Sequence, residues 1–185
     1  MLRLLATFIY WLLGWRSVFV PPPGPKSVIL VYPHTSNWDF LFGVLFNARY
    51  SIFIRWAGKD SLFDWPMGIM SRALGGVPIN RREPTGMVGQ LAKVFAERDS
   101  FHLCITPEGT RKKTDHLKSG FYRLAREANV PVGLGYFDYK NKRIGIERWI
   151  TLSGDEAADL AILRAYYADK SACYPEKASD IRFKA

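Results

Sequence analysis

His34-Thr35-Ser36-Asn37-Trp38-Asp39 places an imidazole five residues before a carboxylate, directly after an apolar run at 27–32. Pro107-Glu108-Gly109-Thr110-Arg111 closes a second such run at 101–106. Open α/β sheets bind ligands just beyond the carboxyl ends of their strands, where both segments would fall. A carboxylate on one ring nitrogen fixes the tautomer, leaves the other nitrogen as a base and stabilises the imidazolium that forms. No serine or cysteine stands in a convincing nucleophile elbow, and Ser36 is too close in sequence to complete a triad. The pair therefore suits direct attack by a substrate hydroxyl. Gly109 and Thr110 can turn the chain so that backbone N–H groups face an anion. Arg111 adds a planar donor suited to phosphate, with Lys112, Lys113 and Lys118 close behind and Arg81 and Arg82 further back. Glu108 is an acid set among these cations, suited to orient an acceptor hydroxyl or an arginine. Taken one at a time, the first pair also fits a turn histidine before a helix-start aspartate, and the second a solvated basic loop. Taken together they point to acyl transfer onto a hydroxyl of an anionic lipid. His102 and His116 lack metal-site spacing from His34, and Cys104 and Cys173 form no CxxC pair. Metal binding by the thiolates is therefore not expected.

The elements that would position these residues alternate. Strands are expected at 27–32, 51–56, 77–80, 101–106, 130–137 and 143–146, the last two as a possible hairpin. Helices are expected at 37–48, 62–74, 85–98, 118–129 and 155–169. This pattern reads as one α/β domain over 27–170, with a mixed, mostly parallel sheet flanked by helices. Residues 171–185 read as a polar tail, open to fraying.

The chain of 185 residues is long enough for a real core, and 48% of its residues are apolar, which excludes disorder. Lys and Arg number 26 against 17 Asp and Glu, a net charge of +9 that favours anionic partners. Nucleic acid is not among those expected, because no helix-turn-helix or RNP-like aromatic pattern accompanies the charge. Residues 1–20 read as an N-terminal amphipathic helix, and 21–26 as a stiff proline-rich spacer. A cleavable leader lacks its small-residue site, since 14–23 are mostly bulky or proline. The stretch between Arg3 and Arg16 covers roughly 18 Å as a helix, against a hydrocarbon core of ~30 Å. That leaves a membrane-interface anchor, with Tyr10, Trp11 and Trp15 at headgroup depth, or a helix packed on the protein's own core. The first reading implies a peripheral or monotopic protein on the cytoplasmic face of a membrane.

The sequence resembles the lysophosphatidic acid acyltransferase, or PlsC-type, family. Its H-x4-D motif is matched by His34 and Asp39, and its G-x-I-F-I-x-R motif in part by 75–81. Its F-P-E-G-T-R-S motif is matched by 106–112, and a following K-x-G-x-x-x-L-A pattern by Lys118, Gly120, Leu124 and Ala125. Residues 58–63 with Pro66 and Gly68 are also similar, and the matches run in family order from His34 to about Val132. The resemblance implies that His34 deprotonates an acceptor hydroxyl while Asp39 orients it. The acyl donor would be a thioester of acyl carrier protein or coenzyme A, and the resemblance implies no metal or bound cofactor. The acceptor would be a lysophospholipid such as 1-acyl-glycerol-3-phosphate, in phospholipid biosynthesis. Arg81, Glu108, Gly109, Thr110, Arg111 and Lys118 are implied to hold its phosphate and glycerol region. Pro78 and Thr106 stand where the family carries aromatics, and only the first proline of V-P-x-x-P is kept, at Pro131. Another lyso-lipid acceptor, such as a lyso-aminolipid, fits these departures. A non-catalytic module that binds anionic lipid is the competing reading.

Overall fold

The run Val28-Ile29-Leu30 becomes the middle of a sheet because both of its faces can be covered. The computed structural model describes residues 1–80 and 82–184. Among these, seven strands form one sheet: β1 (Arg16–Phe19), β2 (Lys26–Val31), β3 (Ile54–Lys59), β4 (Gly76–Ile79), β5 (Phe101–Ile105), β6 (Val132–Asp138) and β7 (Arg143–Ile150). Their spatial order is β1-β7-β6-β2-β5-β3-β4. β2 lies parallel to β5 and β6, β3 lies parallel to β5 and β4, and only β6 with β7 pairs antiparallel. β2 is thus flanked on both sides, which explains its continuous rather than alternating apolar pattern.

The helices are α1 (Leu2–Leu12), α2 (Trp38–Tyr50), α3 (Met67–Ala73), α4 (Gly86–Glu97), α5 (Gly120–Glu127) and α6 (Glu156–Tyr167). Val28, Leu30, Leu103 and Leu134 point to one side and pack with Leu91, Phe95, Phe121, Leu124 and Leu163 of α4, α5 and α6. Ile29, Phe137, Ile144 and Ile146 point to the other and pack with Tyr10 of α1 and Phe42 and Phe46 of α2. Phe40 of α2 meets Trp56 of β3 at 5.3 Å, and Trp56 meets Phe63 at 5.8 Å. This carries the second layer across to α3. The expected single helix at 62–74 is divided into a 3₁₀ turn at Asp60–Phe63 and α3. Pro66 divides them, since it disfavours helical backbone in the residue before it.

The expected helix over 1–20 stops at Leu12. Gly14, at φ +71°, lets the chain turn out of the helix. The Gly14 N–H donates to the Trp11 carbonyl and the Trp15 N–H to the Tyr10 carbonyl, the Schellman pattern of a helix end. Residues 16–19 then form the edge strand β1, paired in parallel with β7. The proline segment follows. It carries the chain from that edge to the central β2, across the ends of β7 and β6.

The tail expected to fray is packed instead. Phe183 packs at an angle on Phe121 and edge-on to Tyr122, the Leu117 N–H donates to the Arg182 carbonyl, and Ser179 is buried.

Candidate active site

β2 and β5 run side by side in the same direction, so the loops leaving them are neighbours. His34 is the third residue past β2 and Glu108 the third past β5, while Asp39 sits in the first turn of α2. An aspartate there is favoured by the helix dipole. Its Oδ2 accepts the backbone N–H groups of Thr35 and Ser36, both at 3.1 Å, and lies 2.9 Å from His34 Nδ1. The ring nitrogen lies off the line that an aligned N–H donor needs, and it has no other partner. Catalytic hydrogen bonds are often loose in this way until substrate is bound. Asp39 is 2% exposed, whereas the His34 side chain keeps 14% of its surface open to solvent.

Glu108 joins the two loops. Its Oε2 accepts the His34 backbone N–H at 2.8 Å, and its Oε1 accepts the Ser179 N–H at 3.4 Å. The side chain is 1% exposed. Burial raises its pKa to about 7, the two amide hydrogen bonds oppose that rise, and the Asp39 charge adds to it. Where the sequence suggests a Glu108 that faces an acceptor, the buried carboxylate instead accepts the His34 N–H at one oxygen and the Ser179 N–H at the other.

Gly109 takes φ +64°, and a Cβ there would lie 2.8 Å from Lys118 Nζ. The positive φ favours glycine, and a side chain there would push aside the lysine that lies across this turn. Arg111 and Lys118 are exposed, and Lys118 is tied to the turn by its N–H to the Pro107 carbonyl, 2.8 Å. A cavity of about 460 Å³ opens between residues 35–38 of the histidine loop and residues 110–112 of the basic turn. Tyr174 and Lys177 of the tail complete its wall. The structure thus brings the two motifs onto one cleft and gives it three cations, Arg111, Lys112 and Lys177. Arg81 lies outside the described residues.

Three contributors escaped the sequence reading. Tyr139 donates its hydroxyl to Asp39 Oδ1 at 2.5 Å, and burial together with that bond holds its phenol well above the ordinary range. Ser179 and Lys177 come from the tail. None of the three belongs to a motif, so only the fold could reveal them.

The other histidines stand apart. His102 Nδ1 bonds Ser27 Oγ at 2.8 Å, near the amino ends of β2 and β5, and His116 pairs with Asp115 at 2.6 Å on an exposed loop. Among the described residues, no three His, Cys, Asp or Glu side chains converge as metal ligands.

The strand-loop histidine, the helix-start aspartate and the basic turn thus all lie past the carboxyl ends of β2 and β5. The Acyltransferase family model matches residues 21–133, more than half of the chain, and the chain belongs to that family. Its fold is similar to the crystal structure of PlsC, the 1-acyl-sn-glycerophosphate (LPA) acyltransferase from Thermotoga maritima. The TM-score is 0.57 at 17% identity, over 91% of this chain and 74% of that one. A sequence search of curated proteins found no match.

Proposed function

We propose that this acyltransferase moves a fatty acyl group from an acyl-coenzyme A or acyl-carrier-protein thioester to the hydroxyl of a lysophospholipid, with 1-acyl-glycerol-3-phosphate as the leading acceptor. The observation that carries the reading is the cleft itself. Residues 35–38, the loop between His34 and Asp39, wall a cavity together with Arg111, Lys112 and Lys177, an arrangement that supports a hydroxyl at the base and a phosphate at the cations. His34 Nε2 takes the hydroxyl proton as the oxygen attacks the thioester carbonyl carbon. A C–O bond forms, collapse of the tetrahedral intermediate breaks the C–S bond, and the imidazolium returns its proton to the departing thiolate. The products are an ester and a free thiol. Asp39 steadies the imidazolium between the two transfers.

The acceptor's acyl chain would be met at a membrane surface. α1 leaves Leu4, Leu5, Phe8, Trp11 and Leu12 exposed. Tyr10 and Trp15, expected at headgroup depth, are instead buried against α2, so Trp11 is the exposed aromatic of that trio. No helix among the described residues is long and apolar enough to cross a membrane. α1 would lie in the interface.

The test is incubation with both thioester types against a panel of lyso-lipids, lyso-aminolipids included, read by mass spectrometry. Acylated lysophosphatidate is the expected product. Acylation of a lyso-aminolipid alone would reassign the acceptor. Vesicle binding without any acyl transfer would favour the lipid-binding module.

A further inference from the structure

We propose that Tyr139 is a positioning residue for the His34–Asp39 pair, and that Trp15 couples it to the N-terminal helix. Asp39 divides its two oxygens. Oδ2 takes the Thr35 and Ser36 amides and faces His34 Nδ1, whereas Oδ1 takes the Tyr139 hydroxyl. A carboxylate held at one oxygen can swing about its Cβ–Cγ bond. Held at both, it presents a fixed edge to the imidazole, keeps the proton on Nδ1 and leaves Nε2 free as the base. Asp39 is buried, so water is a poor substitute for the phenol at Oδ1.

Tyr139 is itself constrained. It is the first residue past β6, and its N–H donates to the Ser171 carbonyl at 2.8 Å. Trp15 meets its ring edge-on at 5.0 Å and 89°, and Phe42 meets it at 6.4 Å and 82°. Trp15 also packs on Phe42 at 4.2 Å, and the buried Tyr10 hydroxyl donates to the Phe42 carbonyl at 2.7 Å. Tyr10 and Trp15 close the Schellman turn that ends α1. A continuous line of contacts therefore runs from α1 through Trp15 and Tyr139 to Asp39 and His34. A shift of α1 on docking to a surface would reach the base through two aromatic rings and one hydrogen bond.

The kinetic part of this proposal rests on the acyl-transfer reading, so its test includes a measurement that needs no turnover. Tyr139→Phe keeps the ring and removes the hydroxyl. It is expected to lower kcat about tenfold, with both substrates' KM within about twofold of the parent. In an Asp39→Asn background the same change is expected to cost nothing further, because the hydroxyl acts through that carboxylate. The ring ¹⁵N resonances of His34 are expected to report the Nδ1–H tautomer in the parent and a tautomer mixture in Tyr139→Phe. Trp15→Ala is expected to reproduce that mixture in part, and Trp15→Phe to restore the parent spectrum. An unchanged His34 spectrum in Tyr139→Phe, or a kcat loss that multiplies with that of Asp39→Asn, would overturn the proposal. A parent protein inactive with every donor and acceptor would remove the acyl-transfer reading while the His34 spectra still judged Tyr139.

Discussion

Glu108 is buried beneath the His34 loop and does not line the cavity. It is surrounded in sequence by Arg111, Lys112 and Lys113, yet it points inward and takes two backbone N–H groups. Burial lifts its pKa from the ordinary 4.5 to about 7. Below about pH 4.5 both folded and unfolded chains hold this proton; between there and pH 7 only the folded chain does. Its contribution to stability is therefore lost as pH rises through that window, by about 3 kcal/mol at most. Glu108→Gln removes the titration and keeps one acceptor oxygen. Thermal melts of this variant from about pH 5 to 7 should lack the decline that the parent shows, apart from other titrating groups. An identical slope in both proteins would show that Glu108 does not bind a proton in that range. His34→Ala should lower acyl transfer more than about a hundredfold, because a general base supplies roughly 10²–10⁴. The melting temperature should be nearly kept, since the ring leaves only a small, partly open space. Turnover close to the parent's would move the base elsewhere. Arg111→Ala should raise the acceptor KM more than the donor KM, because the proposed phosphate contact is made by this guanidinium on the cavity wall; an unchanged acceptor KM would remove that role.

At the scale of elements, the sequence was most readable where one residue pattern had one physical meaning. The strands expected at 27–32 and 101–106 match β2 and β5 to within one residue at each end, because a short, largely apolar run that ends in turn residues suits a buried strand. The two loops leaving them are legible for the same reason, and the proximity of His34 to Asp39 follows from residue types and order alone. β1 was not, because Arg16–Phe19 continues an apolar stretch that helical reading absorbs. The signal was present in Gly14, a helix-stop residue placed where the Schellman turn falls. The tail carried no such signal. Its polar residues face water at most positions, and its hold on the fold comes from particular partners: Ser179 with Glu108 and Thr114, and Phe183 with Phe121 and Tyr122. Such long-range pairings have no local pattern. Removing residues 178–185 should lower the melting temperature by several degrees, consistent with a loss of about 2 kcal/mol. It should also slow acyl transfer, because Glu108 then loses one of the two amides that fix it under His34. A truncated protein with parent-like melting and turnover would show that the tail merely rests on the surface.

The whole molecule is sided. The helices of one layer, α4, α5 and α6, carry none of the large hydrophobic side chains exposed among the described residues. The other layer carries most of them: Phe8 and Trp11 on α1, Trp38 and Leu41 on α2, and Trp65 (86% exposed) and Ile69 (70%) at α3. The chain as a whole is cationic, at +9. Apolar burial and attraction to anionic headgroups add in binding to a lipid surface, and only the second is screened by salt. Sedimentation with vesicles separates the two. Binding to anionic vesicles should exceed binding to zwitterionic ones at low salt, and the difference should shrink at high salt. Trp65→Asp and Trp11→Asp each change the charge by −1 and remove an exposed aromatic, so each should weaken binding on both vesicle types. Lys93→Asp, on α4, changes the charge by −2 and touches no exposed apolar side chain; its Nζ pairs loosely with Glu97 at 3.8 Å. If the apolar layer faces the lipid, this larger charge change on the far side should weaken binding less than either tryptophan substitution. A larger loss from Lys93→Asp than from either tryptophan substitution, in proportion to its charge change, would mean that net charge alone drives adsorption, with no preferred face, and α1 would then have to be read as a helix packed only for the protein's own core.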